Sequence, residues 1–188
     1  MAELAFPMEI EGKYRVMEEA ELLRRLEQMD AKPLASEEHL DVYLRHPCRD
    51  FRVTDEALRV RRLNGRYWMT YKGPRLEGEL KMRPEWEVPL AEQTEGEWMH
   101  IWGALGFETV ARVAKTRQPY QVMAAHGTVV ATVDRVDGIG VFAEIERVVA
   151  GPEEIEHARD DIEQIARRLG LDRLEKRSYL SMVLEQQR

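Results

Sequence analysis

The sequence predicts an α+β fold, a mainly antiparallel sheet with helices packed outside it. Three observations carry this. Most of the chain alternates polar and apolar residues with period two, the mark of strands. Three segments repeat apolar residues at helical spacing instead. The two kinds of segment do not alternate regularly, which argues against a doubly wound parallel sheet. With 188 residues and 44% hydrophobic content, the chain reads as a single globular domain over residues 1–188.

The strands predicted in order are Met8–Val16, Glu37–His46, Ala57–Leu63, Tyr67–Lys72, Lys81–Pro89, Thr109–Gln118, Tyr120–His126, Val129–Val136 and Phe142–Val149. Asn64-Gly65 between two of them is a strong hairpin signal, and His126-Gly127 and Asp137-Gly138 mark two more turns. Leu22, Leu23, Leu26 and Met29 form the apolar stripe of a helix over Glu18–Met29. Trp98, Ile101, Trp102 and Leu105 do the same over Glu95–Leu105, a stripe read as core. A third helix opens at Pro152, carries Ile155, Ile162, Ile165, Ala166 and Leu169, and closes at Gly170. A short helix follows from Ser178 to the end.

Composition narrows the function. A net charge of -7 argues against a nucleic-acid binder. The single Cys48 excludes an intramolecular disulfide framework and fits a reducing compartment. The first residues lack a basic stretch followed by an apolar one, and no apolar run approaches the ~20 residues of a membrane helix. The expected location is the cytoplasm, with no nucleic-acid or membrane partner; a homodimer is compatible with the sequence. The five histidines show no metal-ligand spacing.

Charged residues make up 34% of the chain, against an ordinary ~25%. They are segregated. Glu9, Glu11, Lys13 and Arg15 share one parity in the first strand. Arg59 and Arg61 flank Val60, Lys115 and Arg117 flank Thr116, and Glu144 and Glu146 flank Ile145. Lys81, Arg83, Glu85 and Glu87 share a parity, Lys72 ends its strand, and Asp134 lies in VVATVDRV. Two arrangements satisfy this pattern. A half-exposed sheet would turn these rows to solvent. A sheet curled into a barrel of about eight strands would line a cavity with them. Like charges two residues apart on one face repel, and folding alone does not ask for them. A polyanion held by the basic groups, with a divalent cation on the carboxylates, does.

At these residues the chain resembles the CYTH, or triphosphate tunnel metalloenzyme, superfamily. The E-x-E-x-K signature is Glu9-Ile-Glu11-Gly-Lys13. HLDVYLRHPCRDFRVTDEALRVRR, TYKGP, VAKTRQPY and VDRVDGIGVFAEIE resemble the class IV adenylyl cyclase branch especially, in order along almost the whole chain. Phe6-Pro7 stands where that branch carries a His-Phe pair, a departure that weakens the cyclase case relative to a hydrolase. The resemblance implies a closed antiparallel β-barrel, a tunnel, with helices outside. It implies that Lys13, Arg59, Arg61, Lys72, Arg83, Lys115 and Arg117 contact the phosphates, with Lys176 over one mouth. Glu9, Glu11, Glu144 and Glu146 would hold Mg²⁺ or Mn²⁺, with Asp134, Glu85 and Glu87 as secondary ligands or orienters. Glu11, Lys13 and Lys115 are the expected catalytic groups. The implied substrate is ATP, converted to cyclic AMP and pyrophosphate, or another triphosphate. Thiamine triphosphate or inorganic tripolyphosphate hydrolysis is the first alternative, and non-catalytic binding of polyphosphate or a nucleotide the second.

Overall fold

A computed structural model describes residues 8–76, 80–91 and 95–187, so the Phe6-Pro7 pair lies outside the described residues. Thirteen elements follow in order: β1 (Met8–Arg15), α1 (Glu19–Gln28), β2 (Lys32–Pro33), β3 (Glu37–Arg45), β4 (Ala57–Leu63), β5 (Arg66–Lys72), β6 (Lys81–Leu90), α2 (Glu95–Ala104), β7 (Glu108–Met123), β8 (Thr128–Val136), β9 (Gly140–Val149), α3 (Ile155–Leu169) and α4 (Tyr179–Gln186). A turn of 3-10 helix with Pro152 at its start leads into α3. No helix among the described residues is long and apolar enough to cross a membrane.

Eight strands close into an antiparallel barrel, β1-β6-β5-β4-β3-β7-β8-β9 and back to β1, while β2 adds a short rung to the far end of β7. The β4–β5 hairpin turns on Asn64 and Gly65, both at positive φ (47° and 85°), as a two-residue turn of matching twist requires.

One expected break is absent. Period-two alternation predicts one strand ending at Gln118 and another beginning at Tyr120, either side of Pro119. The strand instead runs through as β7, with Pro119 opposite Thr132 of β8. Pro119's carbonyl accepts the Leu34 N–H at 3.0 Å on its other flank. Its missing donor therefore falls toward β2, where there is almost no strand to receive it.

Period two decides which face is which. Met8, Ile10 and Tyr14 of β1, Val129, Ala131 and Val133 of β8, and Ala143, Ile145 and Val149 of β9 point outward, where α1 and α3 cover them. Within α3, Ile155, Ile162, Ile165, Ala166 and Leu169 are all buried, and Gly170 caps the helix in the left-handed conformation. Trp98 and Trp102 of α2 pack on the outer wall of β3, β4 and β5, whereas Ile101 and Leu105 are exposed.

Ile162 is fully buried between α3 and the wall. Truncating it to alanine is expected to cost about 2–5 kcal/mol, read as a lower denaturant midpoint with an unchanged slope. Because Ile162 lies outside the barrel, anion binding inside should persist; loss of binding with unchanged stability would contradict this placement.

Candidate active site

The remaining side chains of each strand point inward, and these are the charged rows. They line a cavity of about 780 Å³ that runs through the barrel. At one end lie Arg45 and Arg52 from the ends of β3 and its loop, with α4 alongside; Glu87 and Val148 lie toward the other.

The cations Lys13, Arg59, Arg61, Lys72, Lys81, Lys115 and Arg117 meet the carboxylates Glu9, Glu11, Asp41, Glu85, Glu87, Asp134, Glu144 and Glu146 in ion pairs. Lys72 Nζ lies 3.1 Å from Glu9 and also pairs with Glu85. Lys81 Nζ donates to Glu11 at 2.8 Å. Arg117 donates to Asp134 at 2.7 Å through both Nε and Nη2, pairs with Glu144, and lies 3.8 Å from Glu146. Lys115 Nζ donates to Asp134 at 2.6 Å. Arg83 pairs with Asp55 of the β3–β4 loop at 3.5 Å.

Asp134 and Asp41 sit behind this wall. Asp134 is fully buried and also accepts the Tyr179 hydroxyl at 3.0 Å. Tyr179 reaches in from α4, and its ring lies 4.2 Å from Lys13 Nζ and 5.0 Å from Lys115 Nζ. Lys176, expected over a mouth, is exposed; its carbonyl accepts Arg75 Nη1 at 3.0 Å.

Three carboxylates converge. Glu9, Glu11 and Glu146 each offer an oxygen within 4.8 Å of the others. Burial pushes the Glu146 carboxyl up to about 8, with Glu9, Glu144 and Glu11 adding to the rise against Arg117. An all-oxygen set under that repulsion suits a hard divalent cation of the Mg²⁺ or Mn²⁺ kind. Glu144 is differently engaged. Burial and Glu11 would raise it, but Arg117, Lys115 and Lys13 hold it near 2. Burial, reinforced by Lys81, brings the Lys13 ammonium down to about 7 against Glu144 and Glu11. Lys72 moves the other way: burial resists, but Glu9 and Glu85 raise it.

Of the residues named from the sequence, Glu9, Glu11, Lys13, Arg59, Arg61, Lys72, Arg83, Glu85, Glu87, Lys115, Arg117, Glu144 and Glu146 line one cavity, whereas Asp134 lies behind its wall and Arg15 and Lys176 lie away from it. Three residues of the network had no role assigned from the sequence. Lys81 carries the same parity as Arg83, which was the available signal. Asp41 shares the inward parity of His39 and Tyr43, but that mixed row does not look like a charge row. Tyr179 has no local signal, because its partners come from β1, β7 and β8.

The CYTH domain family model matches residues 7–179. The chain is 29% identical over 177 residues to the Methanocaldococcus jannaschii protein MJ0240, whose name gives it provisionally as an adenylate cyclase; the match covers 93% of this chain and 98% of that one. The structure of the PH1819 protein from Pyrococcus horikoshii OT3 superposes with a TM-score of 0.84 at 40% identity, over 95% of this chain and 99% of the other. The PH1012 protein of the same organism gives 0.76 at 32% identity, over 92% and 98%.

Proposed function

Because the chain belongs to the CYTH domain family, we propose that it is a metal-dependent enzyme acting on a triphosphate within its tunnel, first of all an adenylyl cyclase. The observation that carries this is the meeting, in one cavity, of the Glu9–Glu11–Glu146 oxygen cluster with the inward cations. A pure polyanion binder would gain by losing those carboxylates. The name of the Methanocaldococcus relative supports the cyclase reading.

Charge balance explains why anion and cation belong together here. The cations of the wall are already paired with carboxylates, so a triphosphate alone would have to displace them. A divalent cation held by Glu9, Glu11 and Glu146 would, when bound, neutralise phosphate oxygens and polarise the reacting phosphorus. Removing those carboxylates from Lys72, Lys81 and Arg117 leaves the basic groups to bind the phosphate chain. Lys72 and Lys81 act as point charges, while Arg59, Arg61 and Arg117 offer forked donors. Phosphoryl and nucleotidyl transfer depend mainly on such positioning and neutralisation. Lys13 lines the same cavity, buried and 3.8 Å from Glu144, where its Nζ can join the groups that meet the phosphate chain. In the cyclase reading the ribose 3′-hydroxyl attacks the α-phosphorus, forming cyclic AMP and releasing pyrophosphate. The apolar part of the cavity, which includes Leu44, Phe51 and Leu184, favours a substrate with an organic group over bare tripolyphosphate.

A second reading has its own observation. Phe6-Pro7 replaces the His-Phe pair of the cyclase branch, and this favours hydrolysis of thiamine triphosphate or tripolyphosphate by water attacking a terminal phosphorus. Incubating the protein with ATP, GTP, thiamine triphosphate and tripolyphosphate, each with Mg²⁺ and with Mn²⁺, separates the two. Cyclic AMP and pyrophosphate from ATP are the expected products. Orthophosphate without a cyclic nucleotide would reject the cyclase, and no product from any substrate would leave only a binding module.

A further inference from the structure

Asp41 has no counterpart in the roles assigned above. It lies at the centre of β3 and is only 2% exposed, and it does not line the cavity. Its Oδ1 accepts Arg61 Nε at 2.7 Å, and its Oδ2 accepts Arg61 Nη2 at 2.8 Å and Arg59 Nη1 at 3.2 Å. Arg61 is thus held along one edge of its guanidinium by a two-point contact, and Arg59 is tied to the same carboxylate. Both arginines line the cavity. Without Asp41, two like charges two residues apart on β4 would repel, and two long side chains would sample many rotamers.

We propose that Asp41 is a positioning residue for the phosphate chain, acting from behind the wall through Arg59 and Arg61. It fixes the direction in which the free edge of Arg61 meets an anion, and it offsets one of the two positive charges there. The inference rests on the reading of the tunnel as a triphosphate site. It separates two effects that a purely structural residue would not separate. Removing the charge while keeping the shape leaves the wall more positive but less ordered. Keeping the charge while lengthening the side chain leaves the potential as it was but moves the guanidiniums.

Two variants read these effects apart. Calorimetric titration with tripolyphosphate, without metal and at low and high salt, measures attraction; steady-state turnover of the best substrate from the panel above measures positioning. Asp41→Asn is expected to bind tripolyphosphate more tightly at low salt, by several-fold, with a steeper loss of affinity as salt rises. Its kcat should fall roughly tenfold without a rise in KM. Asp41→Glu, which keeps the counter-charge for folding, should retain the wild-type salt dependence while its kcat also falls roughly tenfold. An Asp41→Asn protein with wild-type salt dependence, or an Asp41→Glu protein with kcat within twofold of wild type, would overturn the proposal. Should Asp41→Asn fail to fold, Asp41→Glu decides alone. Wild-type protein that binds no tripolyphosphate and turns over no triphosphate would instead overturn the site reading itself, and this inference with it.

Discussion

Glu11→Gln is expected to lose roughly 10³-fold in turnover while keeping its fold. The magnitude follows from the several kcal/mol that a bound cation contributes to transition-state charge stabilisation, at about 1.4 kcal/mol per tenfold in rate. Glu11 sits in the converging oxygen cluster and donates nothing to the apolar core; its partner is Lys81 at 2.8 Å. The substitution keeps the shape, removes one negative charge, and leaves Lys81 facing a wet cavity where water can solvate it. Circular dichroism and the thermal midpoint should therefore stay near wild type while product formation collapses. A fully active Glu11→Gln protein would remove Glu11 from the cation-binding set, and with it the catalytic reading of the cluster.

Asp134→Ala carries the largest expected cost in stability. Asp134 is fully buried and holds Lys115, Arg117 and the Tyr179 hydroxyl together. Removing one partner of a buried ion pair strands the others, at about 3–5 kcal/mol. The same carboxylate links stability to pH. Burial works against its ionisation, but Lys115 and Arg117 outweigh burial and hold it below the ordinary carboxylate range. A carboxylate depressed in the folded state stabilises the protein above its unfolded pKa of about 3.9, and that contribution is lost as pH falls toward the folded value. Glu144, held near 2, adds to the same limb. Wild-type stability should thus decline below about pH 5, and Asp134→Ala should start lower and decline less steeply. Chemical denaturation across this range measures both; a wild-type midpoint with an unchanged acid limb would show that Asp134 is not the clamp its contacts imply.

The sequence was most legible where a single period governed a whole element. The inward rows of β1 and β6 are visible because like parity carries charge along most of the strand, those of β4 and β9 because Arg59/Arg61 and Glu144/Glu146 flank a single apolar residue, and α3 is visible from its stripe and its Pro152 and Gly170 boundaries. Legibility failed where the deciding partner lies elsewhere in the chain. Pro119 breaks a strand only if its missing donor is needed, and only the pairing of β7 on both flanks reveals that it is not. The rung formed by Lys32-Pro33 has no strand pattern of its own. Asp41 and Tyr179 owe their roles to neighbours on other elements. Glu144 and Glu146 look equivalent by spacing, yet Arg117 and Lys13 draw Glu144 toward the cations, and Glu146 is left beside Glu9 and Glu11.

Barrel closure has a mechanical consequence. Each of the eight wall strands is hydrogen-bonded along both flanks, from β1 round to β9. The bore therefore cannot dilate by peeling one strand aside; its girth is set by backbone spacing rather than by pliant loops. Such a conduit gauges cross-section as well as valence. Whatever enters must fit the bore as the closed wall sets it, because no strand can step aside to admit it.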